Sequence, residues 1–294
     1  MLNTTNTIKE TYSEQNRENQ YTKLYHYTSF DTFVRIWLSQ QLKFGSVLGV
    51  NDLEEGRCDV QNFRIEQFPL ILAYEDLRRS YKQISLMMDD DSQAGCMSPL
   101  MWGHYGDKSK GVCIEFNAEK LHIPDTCFAG KVMYQEHIEK KRDFDSSIQT
   151  IAQVREYIKQ NKDDIFFTKL KCWEAENEYR IISNQDDFLN IKGAISTVYL
   201  TSCESMECIF AEELVSSAGV KVKFIHPHSN DRNNEFRLIA SDIHPLREQY
   251  KTLKASSYVA KCREFYEKHK DDENFPLILQ SVSYTHLTLP TTSR

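Results

Sequence analysis

Along this chain, short stretches of strict alternation are interleaved with longer stretches of helical spacing. In "LYHYTS", residues 24–29, Leu24, His26 and Thr28 fall on one side of an extended backbone and Tyr25 and Tyr27 on the other, which predicts a short strand. Ser29 follows, a hydroxyl able to cap a helix whose apolar positions would be Phe30, Phe33, Val34, Trp37 and Leu38. "LKFGSV" reads as strand or extended chain and "GVNDLEEG" as a loop. Residues 63–80 carry a long helical pattern, and "DDDSQAGCMSP" beyond it reads as an acidic, exposed loop. "LMWGHYG" predicts a first helical turn or a tight turn. "KGVCIEF" alternates, with Val112, Ile114 and Phe116 on one face and Cys113 and Glu115 on the other. "GKVMYQE" is a further short strand. Residues 143–172 have a helical pattern through Ile148, Ile151, Val154 and Ile158, then Phe166 and Leu170, and "NEYRIIS" is the strand after it. "STVYLTS", "CIFAEEL" and "KVKFIHP" carry strand or mixed signals, and "SSYVAKCREFYEKH" a last helix.

Short strands mixed with long helices, without a βαβ repeat or a glycine-rich phosphate loop, predict an α+β class. No internal repeat or Pro/Gly-rich linker interrupts residues 21–281, so a single domain is expected there, after a polar, disordered segment at 1–20. The end of the chain stands apart. "VSYTHLTLPT" resembles the in-frame translation of a transposon-end sequencing adapter, so residues 282–294 are expected to be a foreign tail on a chain cut short near residue 281.

Composition narrows the picture. The 294 residues are 40% hydrophobic, with 15 Tyr and 16 Phe, enough to build a core. The net charge of −7 gives no support to a broad nucleic-acid surface, although a local basic patch stays compatible with it. The eight cysteines form no C-x-x-C pair and no zinc pattern with histidines. The polar N-terminus offers no secretory signal and no run of about 18 apolar residues occurs. A cytoplasmic chain with reduced thiols and no membrane partner is expected.

Candidate chemistry concentrates in "WEAENEYR", residues 173–180. Alternation would put Glu174, Glu176, Glu178 and Arg180 on one face. Because the pattern upstream is helical, the switch to strand falls near Glu174 or Ala175, which leaves Glu176, Glu178 and Arg180 as the co-facial set. A guanidinium beside carboxylates keeps them ionised, and such a group can bind a ribose hydroxyl, act as a base or stabilise a cation. Solvated ion pairs on a strand face are the plainer reading. His26 is either a core histidine or a site residue. Gly103 and Gly106 flank His104 and Tyr105, and Trp102 is a core residue or a stacking platform. Asn51, Asp52, Glu54 and Glu55 share a loop; oxygen ligands there would need a hard cation, but the spacing fits no EF-hand, and no metal is expected. No Walker, G-x-S-x-G, H-E-x-x-H or G-x-G-x-x-G motif is present.

Four segments in order, "LYHYTS", "LKFGSVLGVNDLEEG", "MWGHYGDKSKGVCIEF" and "TKLKCWEAENEYRII", resemble the bacterial domain-of-unknown-function family 2971. The resemblance spans residues 24–182 and continues more weakly to 214. One departure is Leu53, where the family's loop has proline after Asn-Asp; this weakens a ligand role for Asn51 and Asp52. More weakly, the early His, the mid-chain Tyr and the late E-x-E strand are similar to the His–Tyr–Glu signature of ADP-ribosyltransferases. That resemblance implies short split antiparallel or mixed sheets flanked by helices, with NAD bound in the cleft between them. It implies His26 on a ribose, Tyr105 or Tyr27 stacked on nicotinamide, and Glu178 or Glu176 at the nicotinamide ribose; Trp102, Arg180 and Asn51 are further candidate cofactor-binding residues beside them, with Arg180 keeping the strand's charge tolerable. The acceptor stays open. The alternatives are a non-catalytic nucleotide- or nucleic-acid-sensing module of a bacterial defence system, and a metal-dependent hydrolase using Asp52, Glu54 and Glu176.

Overall fold

A computed structural model describes residues 22–47, 59–61, 64–137, 141–144, 147–201, 206–216, 218–230, 235–242 and 268. Chain order begins with β1 (Lys23–Thr28), α1 (Phe30–Ser39), β2 (Gln41–Lys43), β3 (Gly45–Ser46), β4 (Asp59–Gln61), α2 (Phe68–Ser80), β5 (Lys82–Met88), α3 (Pro99–His104) and β6 (Val112–Asn117). It continues through β7 (Phe128–Lys131), β8 (Met133–Gln135), β9 (Lys141–Asp143), α4 (Ile151–Gln160), α5 (Lys162–Phe166), β10 (Thr168–Leu170) and β11 (Glu178–Ser183). The last elements are β12 (Phe188–Asn190), β13 (Ile195–Leu200), α6 (Met206–Ser216), β14 (Lys221–Asn230) and β15 (Glu235–Asp242). This is the α+β class that the alternation predicts.

Nine strands form one mixed sheet in the order β15-β14-β13-β6-β1-β5-β11-β7, with β3 also paired to β5. Every pairing in it is antiparallel except β13 with β14. That parallel pair is joined through α6, a βαβ unit that "CIFAEEL" did not announce. The sheet is nearly divided at its centre. β1 and β5 meet only at Leu24–Met88 and Tyr25–Met87, whereas β1 pairs with β6 along all six of its residues. Past Tyr25 the two halves part, and the other end of β5 pairs with β3 instead. The split expected from the resemblance is therefore a seam within one sheet.

Both faces are covered. Leu24, Leu86, Met88, Ile114, Phe116 and Ile181 face α1 and α6, which contribute Phe33, Ile36, Ala211 and Val215. The opposite face is covered in two parts. Tyr25, Tyr27, Cys113 and Tyr199 pack under α3 and the 3₁₀ turn Gly95–Met97, through Cys96, Met101 and Trp102. Ile182 packs under α2, α4 and α5, through Tyr74, Val154, Ile158 and Phe166. β6 is buried on both sides, which is why it reads as nearly continuous apolar sequence.

Several boundaries differ from the sequence reading for local reasons. The helix predicted over 63–80 starts as a 3₁₀ turn at Ile65–Gln67 and becomes α-helical at Phe68, with Pro69 in its first turn, where the missing N–H costs nothing. The helical run predicted over 143–172 holds only over α4 and α5. Thr168–Leu170 pairs with β8 instead, and Lys171–Glu176 tightens into a 3₁₀ helix. Residues 82–88, between the α2 pattern and the acidic loop, form β5. The loop read at 49–56, the helix read at 256–269 apart from Lys268, the N-terminal segment 1–20 and the tail 282–294 lie outside the described residues.

Candidate functional site

The site is built where β5, β11 and the 3₁₀ helix Lys171–Glu176 meet. Asn177 ends that helix with φ +39°, a left-handed conformation that asparagine tolerates better than most residues. Its side-chain amide donates to the carbonyls of Met88 (3.3 Å) and Asp89 (2.9 Å), and its own carbonyl accepts from Met88 N at 2.9 Å. The reversal at Asn177 is why Glu176 is not on the strand. Only Glu178 and Arg180 share the face expected of all three; Glu176 reaches the same place from the turn, and Glu174 is exposed.

Arg180 Nε and Nη2 each donate to one oxygen of Glu178, both at 2.7 Å, and Nη1 donates to the Phe166 carbonyl at 2.8 Å. Lys169 donates to Glu176 Oε2 and lies 3.6 Å from Glu178 Oε2, with its ammonium 4.9 Å from the Trp173 ring centre. Tyr105 Oη donates to Glu176 Oε1 at 2.6 Å, and Tyr134 Oη accepts from the Glu178 backbone N–H at 2.9 Å. Glu176, Glu178, Arg180 and Lys169 are 3%, 4%, 2% and 5% exposed, so these are not the solvated pairs of an open strand face. Two carboxylates face two cations, and the cluster is neutral overall. Burial pushes the Glu178 carboxyl up, but the charge and hydrogen bonds of Arg180, with Lys169 and the Ser85 hydroxyl, outweigh this and hold it below its ordinary value.

That shift gives a pH dependence. A carboxyl depressed in the folded state stabilises fully above its unfolded value, near 4.5, and the contribution is lost as pH falls through the lower folded value. Melting temperature should accordingly drop below about pH 4.5. Thermal melts between pH 7 and pH 3 should show a shallower acid loss for Glu178→Gln than for the parent. An equal slope would remove Glu178 from the acid sensitivity.

Ser85, in the middle of β5, is exposed at the seam. It lies opposite Arg180 and on the same face as Glu178, and its carbonyl lies 3.4 Å from His26 Nδ1. By register, Tyr25, Met87 and Glu178 point to one face, so His26 points to the other. His26 and Glu178 therefore meet at Ser85 from opposite sides of the sheet and do not share a face. Burial lowers the imidazole below its ordinary value, against the Ser85 carbonyl, so the ring is neutral near pH 7.

The aromatic candidates separate in the same way. Tyr27 is buried, its hydroxyl donating to the Gly95 carbonyl and its ring edge-on to Trp102 at 5.1 Å. Trp102 is 2% exposed and donates to the Cys96 carbonyl at 2.8 Å, so it is core and presents no face for stacking. Of these candidates Tyr105, half-buried beside exposed His104, is the one that reaches the charged cluster. Asn51, Asp52 and Glu54 lie outside the described residues. Burial pushes the Cys96 thiol up to about 12 and Cys113 well above its ordinary value, so neither is a thiolate nucleophile near neutral pH. Among the described residues no group of three or more His, Cys, Asp or Glu side chains is placed to hold a metal ion, and no helix is long and apolar enough to cross a membrane.

Sequence reasoning missed Lys169, Tyr134 and Ser85. Lys169 stands seven residues before Glu176 and meets it only because a strand and a 3₁₀ helix fold back between them. Ser85 had a signal. Ile84, Leu86 and Met88 alternate with Gln83, Ser85 and Met87, enough to mark a strand.

No curated protein matches the chain. A family match begins within α3 and ends within β11, and so takes in Tyr105, Lys169, Glu176, Glu178 and Arg180 but neither His26 nor Ser85. Residues 101–181 match the model of the family described as "Protein of unknown function (DUF2971)", the one the ordered motifs resemble.

Proposed function

We propose that the seam beside Ser85 binds an NAD-type dinucleotide and that Glu178 acts on its nicotinamide ribose. The observation that carries this is exposed Ser85 on the same face of the sheet as a carboxylate that Arg180 holds in a bidentate pair. A bidentate guanidinium uses one lone pair on each carboxylate oxygen and leaves one on each. A ribose hydroxyl arriving at the seam takes the position of the Ser85 hydroxyl. In the reaction the bond between ribose C1′ and the nicotinamide nitrogen breaks, and nicotinamide leaves neutral with the bonding electrons. The positive charge left on the ribose is met by the Glu178 carboxylate. Water or an acceptor hydroxyl then bonds to C1′ and releases its proton to solvent. Tyr105 holds Glu176, and Lys169 ties Glu176 to Glu178, so the reacting carboxylate does not move.

A second reading has its own observation. Every oxygen of Glu176 and Glu178 already has a partner, the arrangement expected of a scaffold that shapes a non-catalytic nucleotide-sensing cleft.

The test incubates the purified chain with NAD and follows nicotinamide by mass spectrometry, with calorimetry for binding. Release is expected from the parent and is expected to fall at least about 100-fold in Glu178→Gln. Because that variant removes a charge from a buried pair, Ser85→Tyr is the companion: it fills the exposed position beside Arg180 with both charges of the pair retained, and should abolish both binding and release. Binding without release from the parent would favour the sensing module. No NAD binding at all would sink both.

A further inference from the structure

We propose that a second cleft, away from the seam, binds a small organic anion carrying a flat ring, of the nucleoside monophosphate class. The cleft encloses ≈ 460 Å³ at the end of the sheet where β6 finishes and β13 and β14 begin. That volume is in the range of small-molecule sites. Its walls hold half-buried Trp37 from α1, Asn117 from the end of β6, and two exposed ammonium groups, Lys120 and Lys192. Ser196 and Gly193 complete the part that matters. Gly193 has φ +75°, and a side chain built there would meet nothing within 4 Å, so backbone borders open space.

Among the described residues no carboxylate lines the cleft. The acid linked to it is Glu115, reached through Ser196. A bulge in β13 sets both Ser196 and Thr197 toward that carboxylate, with Ser196 Oγ donating at 2.7 Å and Thr197 Oγ1 at 3.4 Å to the same oxygen. Tyr199 donates to the other oxygen at 2.7 Å, and Lys23 lies 3.5 Å from it. Glu115 is thus already neutralised and does not compete for the two lysines.

The helix ends decide the sign of the site. α1 finishes beside the cleft at Trp37 and Gln40, and the turn after α6 lines it at Ala218 and Gly219. Each helix C-terminus carries a partial charge of about −0.5. Two such ends cancel about one of the two ammonium charges and leave a net positive site. The α1 end is weakened further, because Gln40 N–H donates to Ile36 O at 2.8 Å and Ser39 Oγ donates to Arg35 O at 2.7 Å. The ammonium groups match a phosphate, and the indole matches the face of a base.

Calorimetric titration of the full chain with AMP tests this, with adenosine and inorganic phosphate as the half-ligands. Saturable AMP binding is expected, with each half-ligand at least about tenfold weaker. Lys120→Ala/Lys192→Ala, both at exposed positions, should weaken AMP at least about tenfold, and Trp37→Leu similarly. Ser85→Tyr should leave AMP binding unchanged, which separates this cleft from the seam whatever happens to NAD. Absence of AMP binding, binding indifferent to the two lysines, or binding lost in Ser85→Tyr would each overturn the proposal.

Discussion

Replacing Arg180 with Leu should cost about 3–5 kcal/mol of folding stability, the range for removing one partner of a buried ion pair. The expectation rests on what is left behind. Glu178, 4% exposed, would keep only Lys169 at 3.6 Å, and Lys169 is already held by Glu176. The Phe166 carbonyl would also lose its donor. An uncompensated carboxylate in that position takes up a proton instead, so its folded value moves from depressed to raised. The sign of the pH dependence inverts with it. A raised carboxyl contributes best below its unfolded value and loses that contribution as pH rises, so the deficit of Arg180→Leu should be smaller at pH 4.5 than at pH 8. Urea unfolding at both pH values measures this. The double variant Glu178→Leu/Arg180→Leu should recover most of the loss, because two apolar side chains leave no buried charge unpaired. A single variant costing under about 1 kcal/mol would place the pair among ordinary solvent-screened ones.

The same pair shows how far the sequence could be read. The alternation Glu178, Tyr179, Arg180 was enough to place a carboxylate and a guanidinium on one face, because a strand's side-chain period depends on nothing outside the strand. Whether that face was wet or buried depends on α4, α5 and β10, which arrive from elsewhere in the chain. The plain reading of a solvated strand face fails for that reason. Glu176 illustrates a second limit. A one-residue reversal at Asn177 separates it from the strand, and only the left-handed backbone of that asparagine marks the place. The seam was the least legible part. It is defined by what β1 and β5 do not do, namely pair beyond two residues, and an absent pairing leaves no trace in either strand. His26 suffers most from this: its spacing fits a site residue, but register puts it on the face opposite Glu178.

Both rival readings of the charged cluster share a physical requirement, which limits what each can explain. A buried ion pair is weak evidence for stability, since well-packed apolar residues of similar volume often serve as well. In both readings it fixes where a carboxylate stands on the same face as exposed Ser85. A catalytic group and a nucleotide-sensing scaffold both need that fixed position, and they part only on whether the ribose bond breaks.

Gly111→Ala is the second large effect, expected to destabilise by about 3 kcal/mol or more, at the upper end of overpacking costs. A Cβ at Gly111 would lie 2.2 Å from the Thr28 carbonyl oxygen and 3.0 Å from the Gly106 carbonyl carbon and oxygen. All three are backbone atoms and cannot rotate away. Gly111 N–H also donates to Gly106 O at 2.8 Å, so the turn cannot open without losing that bond. The turn between the two glycines is already strained: Asp107, Lys108 and Ser109 have φ of 49°, 55° and 63°, and left-handed backbone costs about 1–2 kcal/mol per non-glycine residue. It is held by Ser109 N–H on Trp102 O at 2.9 Å and by the Thr201 hydroxyl on Ser109 O. Relief must come from β1, where Thr28 pairs with Val112, and moving that end of β1 shifts His26 against Ser85. Gly103→Ala is the matched control. It lies in α3 with nothing within 4 Å of the added carbon, and should stabilise by about 0.5–1 kcal/mol from helix propensity. Thermal or urea unfolding of the two variants side by side should move in opposite directions. Equal, small shifts would mean that the β1–β6 contact at Thr28 yields easily, and with it the geometry of the seam.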